Sequence, residues 1–242
     1  MKPIQIYMTS FFRPQFTLEA VEKIHERTCP GSFQLNIYDN GSDLQTQGKL
    51  FNLLQAGLIT SLQLDSRNTG CLYNKLVFQA MTESQDDYYV VTDNDIFPPA
   101  LEPCWLTQMI EIMDNHQEIA LLTPLLPPIY LQKPYSIAND VVYCEFVGNT
   151  FKVVRRKAFP NIEQKLGAFG DDGLVSEIVR GCGWKVAFCK NIFCWHAGQC
   201  ENWGYKPEEI LLDERKAGYG KPFLYQPINE LTYEPPAHLR IS

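Results

Sequence analysis

Residues 88–99 have the sequence Tyr88-Tyr89-Val90-Val91-Thr92-Asp93-Asn94-Asp95-Ile96-Phe97-Pro98-Pro99. The first five are aromatic or β-branched, which is typical of a strand buried on both faces of a sheet. Because proline lacks the amide hydrogen that a strand ladder uses, Pro98 and Pro99 end the strand soon afterwards. Asp93 and Asp95 are therefore predicted at the carboxyl end of a buried strand, where open α/β sheets bind their ligands.

Two carboxylates separated by one residue predict hard-metal chemistry at that edge. Mg²⁺ and Mn²⁺ prefer oxygen ligands. A divalent ion would also let a diphosphate approach Asp93 and Asp95 in spite of their negative charge. The alternative is an ordinary polar turn, which Asp-Asn-Asp also favours. Spacing alone favours the turn.

Length and charge restrict the function further. With 242 residues, of which 45% are hydrophobic, the chain can bury a sizeable core, and a single large domain is expected. The net charge of -7 argues against a nucleic-acid partner, so an anionic substrate would need a metal or local basic groups. No apolar run has the length of a membrane span, and the residues after Met1 predict a strand instead of a signal peptide. We therefore expect a cytoplasmic location.

Eight cysteines are many for a reducing compartment. Four are scattered and are expected to be small core residues: Cys29, Cys71, Cys104 and Cys144. Cys189, Cys194, His196 and Cys200 lie closer together and have the chemistry of soft metal ligands, although they contain no CxxC pair. Structural zinc and core packing both remain open for this cluster.

Strand-like and helix-like segments alternate through the first half of the chain. Strands are predicted at 4–10, 33–39, 62–64, 88–93 and 119–123. Helices are predicted at 17–27, 50–56, 72–81 and around 105–113. Strands separated by helices of this length indicate right-handed βαβ units and a mostly parallel sheet.

The pattern changes after residue 123. Prolines predict an extended surface loop over 124–138, and strands at 141–145 and 150–154 predict a smaller antiparallel part. A helix at 173–180 precedes two strands at 185–189 and 192–196. A further helix is expected at 207–216, followed by a tail. The fold class is therefore α/β, with a mostly parallel sheet flanked by helices and an antiparallel part in the C-terminal half.

Polar residues follow four consecutive predicted strands, and the carboxyl ends of parallel strands share one edge of a sheet. The segments are Thr9 to Arg13 at the end of the first strand, Asp39-Asn40-Gly41-Ser42 at the end of the second, Arg67-Asn68-Thr69-Gly70 after the third, and Asp93 and Asp95 at the end of the fourth. A nucleobase and ribose lying across this edge could be bound by carboxylates, hydroxyls and amides. The alternatives are a turn at Asp39-Asn40-Gly41 and a helix start at Asn68-Thr69-Gly70.

Four segments of the chain occur in a characteristic order and spacing: Tyr38-Asp39-Asn40-Gly41-Ser42-Asp43, Asn68-Thr69-Gly70 with Asn74, Thr92-Asp93-Asn94-Asp95, and Phe169-Gly170-Asp171-Asp172 before Gly181. Together they resemble the ordered motifs of family 2 glycosyltransferases of the GT-A fold. The resemblance covers about residues 4–198. It implies a Rossmann-like GT-A domain, a nucleotide diphosphate sugar as donor and Mn²⁺ or Mg²⁺ as cofactor.

The resemblance also implies roles for individual residues. Asp39 would contact the base with Thr9 beside it, and Asp93 would contact the ribose or a metal-bound water. Asp95 would ligate the metal, and His196 in Trp195-His196-Ala197-Gly198 would be a further metal ligand or a phosphate contact. The remaining residues expected around the donor are Phe11, Arg13, Arg67, Asn68, Gly70, Asn74 and Asn94.

By the same resemblance, Asp172 would be the catalytic base, with Asp171 beside it. The family often has Glu at the position of Asp171, which makes the choice between the two carboxylates less direct. A base that takes the acceptor's proton opposite the leaving group inverts the anomeric centre. Both residues could also cap the predicted helix.

The expected function is a metal-dependent, inverting transfer of a sugar from a nucleotide diphosphate to a hydroxyl of a glycan or related acceptor. UDP is the favoured nucleotide, and GDP and TDP remain open. Residues 1–123 would form the nucleotide-binding half, 124–204 the acceptor and catalytic half, and 205–242 a C-terminal extension. A nucleotidyltransferase is disfavoured because no glycine-rich basic loop follows the first strand. A catalytically silent sugar-nucleotide or glycan-binding module is disfavoured by Asp171 and Asp172.

Overall fold

The computed structural model describes residues 2–66, 85–126, 134–148, 151–158 and 172–197. The strands are β1 Ile4–Ser10, β2 Phe33–Asp39, β3 Ser61–Leu64, β4 Tyr88–Asp93, β5 Ile96–Phe97, β6 Ile119–Leu125, β7 Pro134–Ile137, β8 Val141–Cys144, β9 Phe151–Arg155, β10 Lys185–Phe193 and β11 Trp195–His196. The helices are α1 Pro14–Arg27, α2 Leu44–Gln55, α3 Trp105–Asn115 and α4 Asp172–Gly181, with one 3₁₀ turn at Arg156–Ala158.

Nine strands form one sheet in the order β3-β2-β1-β4-β9-β6-β10-β8-β7. Strands β3, β2, β1 and β4 are parallel to one another, and β6 is parallel to β10. Strand β9 is antiparallel to β4 and β6, and β7 and β8 extend the sheet beyond β10 as antiparallel strands. Strands β5 and β11 form a separate two-stranded antiparallel sheet. The predicted α/β class with a mostly parallel sheet and an antiparallel part is therefore confirmed.

Strand β4 lies inside this sheet, between β1 and β9, and is buried on both faces, as its composition predicts. Residues 88–92 are all buried. Val90 packs into one core, while Tyr89 and Val91 pack into the core on the opposite face. Helices α1, α2 and α3 contribute buried residues to the first core, and α4 contributes Val175 and Val179 to the second. Helices thus cover both faces of the sheet.

The prediction of a surface loop over 124–138 was wrong for its two ends. Strand β6 continues through Pro124 to a buried Leu125. The pairing between β6 and β10 shifts register between Phe188 and Phe193, so Pro124 lies where the ladder is irregular. Pro134 begins β7, which is an edge strand and therefore tolerates a proline at its first residue.

Two other boundaries differ from the prediction. Helix α2 begins at Leu44 and not near residue 50, because the Asp43 side chain caps it by accepting from the Thr46 amide at 2.7 Å. The two predicted strands at 185–189 and 192–196 are one continuous strand, β10, followed by the short β11. The predicted helices at 72–81 and 207–216 lie outside the described residues. Within the described residues, no helix is both long enough and apolar enough to cross a bilayer.

Candidate functional site

The polar residues after β1, β2 and β4 meet at one edge of the sheet. From β1, the chain proceeds to β2 and β3 on one side, whereas β4 lies on the other side, so the connections diverge between β1 and β4. The register pairs Thr9 with Asp93 and Ser10 with Asp39. Open α/β sheets bind ligands in the crevice at such a switch point. Thr9, Asp39 and Asp93, which are expected around a nucleotide, therefore lie at the edge of the sheet where folds of this kind bind ligands.

Asp95 is buried in the short connection between β4 and β5. Its Oδ2 accepts a hydrogen bond from Arg13 Nη1 at 3.0 Å. Its Oδ1 lies 3.4 Å from His196 Nε2. That contact is long for a hydrogen bond, and Oδ1 accepts no well-aligned hydrogen bond from the described residues. One oxygen of a buried carboxylate is thus left for another partner.

The small sheet of β5 and β11 brings His196 to Asp95. His196 pairs with Ile96 across this sheet, and the Ala197 amide donates to the Asp95 carbonyl at 2.9 Å. The imidazole is buried. His196 follows β10 of the main sheet, as expected, but the strand predicted at 192–196 is divided, because β10 ends at Phe193 and His196 lies in the small sheet. The expected approach of His196 to the acidic strand end is nevertheless present.

The charges around Asp95 keep it ionised. Burial by itself raises the pKa of a carboxyl group, but the Arg13 guanidinium and the His196 ring lower it. Their combined effect holds the pKa of Asp95 well below its usual range. The site therefore contains an ionised, buried carboxylate that contacts Arg13 and His196, which come from two distant parts of the chain.

Arg13 reaches Asp95 from an unusual turn. Phe12 and Arg13 both have left-handed backbone conformations, with φ of 48° and 50°. For residues other than glycine this is uncommon and costs about 1–3 kcal/mol each. The Arg13 guanidinium lies over the Phe16 ring at 5.5 Å from the centroid, and its Nη2 is 3.5 Å from Asn94 Oδ1. The turn thus directs the guanidinium to the end of β4.

Asn94 is buried and holds this arrangement in place. Its Nδ2 donates to Thr17 Oγ1 at 2.8 Å and more weakly to the Phe12 carbonyl at 3.4 Å. The amide is therefore oriented with its oxygen toward Arg13. Asn94 was expected near the donor, and in the structure it joins the start of α1 to the end of β4.

Asp39 has a different environment, although it ends the neighbouring strand β2. It is fully buried. Its Oδ1 accepts from Ser42 Oγ at 2.5 Å, and its Oδ2 accepts from the Ser42 amide at 2.9 Å and from Gln47 Nε2 at 3.2 Å. Ser42 Oγ in turn accepts from the Phe12 amide at 2.8 Å. These contacts are those of a turn, which was the alternative to nucleotide binding for Asp39-Asn40-Gly41. A contact between Asp39 and the base remains a prediction.

The separation of Asp95 Oδ1 and His196 Nε2 suits two ligands of one divalent ion. Two ligand atoms that share one ion are roughly 3 Å apart, because each lies about 2.1 Å from the metal. Asp95 Oδ1 and His196 Nε2, at 3.4 Å, are close to this separation. No group of three or more His, Cys, Asp or Glu residues suited to a metal occurs within the described part of the chain. Asp93 therefore does not complete a three-residue site here, and its role remains a prediction.

The structure describes three further residues that were predicted in the site, and the others lie outside the described ranges. The Thr9 hydroxyl is buried beside Asp93 in the register and makes no hydrogen bond to the described residues. Phe11 packs edge-on against Phe12 at 5.1 Å. Asp172 is the first residue of helix α4. The residues that lie outside the described ranges are Arg67, Asn68, Gly70, Asn74, Asp171 and Cys200.

The possible zinc cluster is largely explained by packing. Cys189 and Cys194 are buried in the same hydrophobic core as β4 and α1. Burial raises the pKa of the Cys189 thiol, which disfavours the thiolate that zinc requires. In contrast, sequence reasoning did not identify Thr17 as part of the site, and it named Ser42 only within the matching segment 38–43. Arg13 was predicted near the donor, but its contact with Asp95 was not; Pro14 indicated only that a helix begins after it.

Comparisons with known proteins show the fold. No family model matches the sequence, and no curated protein matches it. A solved mannosyltransferase, PcManGT from Pyrobaculum calidifontis in complex with GDP-Man and Mn²⁺, is 12% identical with a TM-score of 0.63, over 90% of this chain and 65% of that one. GalNAc-T7 with UDP, GalNAc and Mn²⁺ is also 12% identical with a TM-score of 0.63, over 88% of this chain and 48% of that one.

The chain has a GT-A-like fold, the fold of nucleotide-sugar transferases. It spans less than two thirds of the length of either solved protein. At 12% identity the likeness concerns the fold, so the function must be argued from the site.

Proposed function

We propose that this protein is a metal-dependent glycosyltransferase that moves a sugar from a nucleotide diphosphate to a hydroxyl of a glycan or related acceptor. The observation that carries the proposal is the contact between Asp95 Oδ1 and His196 Nε2 at the switch point of the sheet. The two solved proteins of the same fold were determined with Mn²⁺ and with UDP or GDP-Man.

Asp95 and His196 would hold Mn²⁺ or Mg²⁺, with Asp93 binding the ribose or a metal-bound water. A bound divalent ion supplies positive charge that stabilises the departing nucleoside diphosphate. The low pKa of Asp95 supports this role, because a metal ligand must be ionised. His196 would offer its neutral imidazole nitrogen.

The nucleotide would lie across the carboxyl ends of β1, β2 and β4. Thr9 and Asp39 would contact the base, and the Arg67, Asn68, Gly70 and Asn74 region would contact the ribose and phosphates. Asp39 already accepts three hydrogen bonds, so a base N–H would be an additional donor to a carboxylate with four lone-pair sites. We favour uridine, with guanosine as the second choice.

Asp172 would be the catalytic base, with Asp171 beside it. It would take the proton of the acceptor hydroxyl as that oxygen attacks the anomeric carbon and the nucleoside diphosphate leaves, which inverts the anomeric centre. In support of this role, Asp172 is the first residue of helix α4, where the sequence places the acidic pair.

The direct test is release of free UDP or GDP from a panel of UDP- and GDP-sugars with Mn²⁺, in the presence and absence of glycan acceptors. We expect acceptor-stimulated release that requires Mn²⁺ and is lost in Asp95→Asn. Asp43→Asn is a matched control, since this exposed carboxylate caps α2 and asparagine caps equally well. Pyrophosphate release would show a nucleotidyltransferase instead. Donor binding without turnover of any donor would show a binding module.

A further inference from the structure

Arg13 binds the carboxylate that is proposed to hold the metal. Its Nη1 is 3.0 Å from Asp95 Oδ2, on the opposite oxygen from the His196 contact. The Asp95 side chain is 4% exposed, whereas the Arg13 side chain is 27% exposed. The guanidinium is therefore the more solvent-accessible partner of this ion pair and can be reached by an anionic ligand.

The local backbone is arranged to make this contact. Two successive left-handed residues, Phe12 and Arg13, lead into α1, and Arg13 occupies the N-cap without capping the helix by its side chain. The Phe12 amide is held by Ser42 and its carbonyl by Asn94. Such strain persists only where its surroundings hold it, and it is concentrated at functional sites. The strained turn is a second observation, independent of the ion pair, that marks Arg13 as more than a surface residue.

The single negative charge of Asp95 cannot balance both a divalent ion and the Arg13 guanidinium. Binding both at Asp95 therefore requires further negative charge. The two oxygens of one carboxylate are only about 2.2 Å apart, so a metal at Oδ1 and a guanidinium at Oδ2 would be like charges at close range in a buried site. A diphosphate removes this conflict. It supplies oxygen ligands to the metal and a fork-shaped partner to the guanidinium.

We propose that Arg13 is an internal counter-ion that neutralises Asp95 in the nucleotide-free protein and transfers to the diphosphate when metal and nucleotide bind together. This inference rests on the proposed function, because it takes Asp95 as the metal ligand. Arg13 would then disfavour binding of the metal alone and favour binding of the nucleotide, which couples the two events. The result is a site that fills with metal and nucleotide as a pair.

The test separates the two effects of Arg13, which have opposite signs. Mn²⁺ is titrated into the full chain without nucleotide, and free Mn²⁺ is followed by electron paramagnetic resonance. UDP and GDP are then titrated with saturating Mn²⁺ by calorimetry. Compared with the parent protein, Arg13→Gln should bind Mn²⁺ alone on the order of tenfold more tightly and the nucleotide on the order of tenfold more weakly. Arg13→Asn should change both affinities in the same directions, and asparagine tolerates the left-handed backbone.

Arg27→Gln is the matched control. Arg27 lies at the other end of α1, and its Nη1 donates to the Pro98 carbonyl at 2.8 Å. This variant removes the same charge from the same helix, and both affinities should stay within about twofold of the parent values.

Each outcome decides the proposal. If nucleotide binds with Mn²⁺ in the parent but both Arg13 variants leave the affinity for Mn²⁺ alone unchanged, Arg13 is not a counter-ion and only this inference fails. A loss of both affinities in the two variants would show a purely structural role and would also overturn it. A parent protein that binds no Mn²⁺ even with UDP or GDP would overturn the proposed function, and the inference with it.

Discussion

Asp39 and Asp95 are both buried carboxylates at the same edge of the sheet, yet their surroundings differ in kind. Asp39 accepts three hydrogen bonds from Ser42 and Gln47, which are uncharged residues within eight positions of it. Asp95 is held by Arg13 and His196, which come from α1 and β11, and its Oδ1 has no aligned donor among the described residues.

This difference separates a structural carboxylate from one that suits a ligand. A locally satisfied carboxylate stabilises its own turn and gains little from a metal. Asp95 is held by residues that are distant in the sequence, and its Oδ1, which has no aligned donor among the described residues, can accept a further partner. This is why we propose the metal at Asp95 and not at Asp39, which holds the turn after β2.

The largest expected effect concerns a third carboxylate, which should affect chemistry and not binding. Asp172→Asn should lower turnover by about 10²–10⁴-fold, because general-base catalysis typically contributes that much. Donor affinity should be retained, and Asp171→Asn should reduce turnover less. Steady-state turnover and calorimetry of donor binding measure the two quantities. Parent-rate transfer by a folded Asp172→Asn protein would rule Asp172 out as the base.

Asp95→Asn should affect binding most strongly. Removing the ionised ligand should lower Mn²⁺-dependent affinity for UDP or GDP by about 100-fold or more. His196→Ala should weaken it by about tenfold, the lower end for loss of a metal-site contact. Calorimetry with and without Mn²⁺ measures both effects, with Asp43→Asn as control. Unchanged Mn²⁺-dependent affinity in Asp95→Asn would remove the distinction between Asp95 and Asp39.

Asp39→Asn should affect stability and leave the metal site intact. An asparagine would turn its NH₂ group toward donors, because the Asp39 oxygens face the Ser42 amide, the Ser42 hydroxyl and Gln47. The unpaired donors should cost about 1–3 kcal/mol of unfolding free energy, measured by urea denaturation. Mn²⁺ affinity should remain that of the parent. Full stability together with lost Mn²⁺ binding would reverse the assignment of the two carboxylates.

The smallest effect is expected in the dependence of stability on pH. Because the folded-state pKa of Asp95 is lowered, its ion pairs contribute stability above the unfolded pKa of about 4, and this contribution is lost as the pH falls further. The difference in unfolding free energy between the parent and Asp95→Asn should therefore shrink below pH 4. Urea denaturation between pH 7 and pH 3 measures it. A difference that stays constant over this range would show that the charge of Asp95 does not stabilise the fold.

The sequence predicted the frame of the site well, because that frame depends on local patterns. The aromatic and β-branched residues of 88–92 predicted that β4 is buried. The alternation of strands and helices predicted the parallel strands around it. The strand ends predicted at Asp39 and Asp93 lie beside Ser10 and Thr9 of β1 in the observed register. The residues Asp39-Asn40-Gly41 also predicted the turn that the structure shows after β2.

Contacts between distant segments could not be predicted in this way. The Arg13–Asp95 pair joins residues 82 positions apart, and it depends on two left-handed residues that no local propensity favours. The route by which His196 reaches Asp95 depends on where β10 leaves the main sheet. Pro124 was taken as a loop residue because the register shift that accommodates it belongs to the partner strand.

The most direct measurement of the central claim is anomalous diffraction at the manganese absorption edge from crystals grown with Mn²⁺ and UDP or GDP. We predict an anomalous peak within about 2.5 Å of both Asp95 Oδ1 and His196 Nε2, with the Arg13 guanidinium moved from Asp95 to the diphosphate. A peak at Asp39 or elsewhere, or nucleotide bound with no peak while Arg13 remains on Asp95, would contradict the assignment of the metal to Asp95.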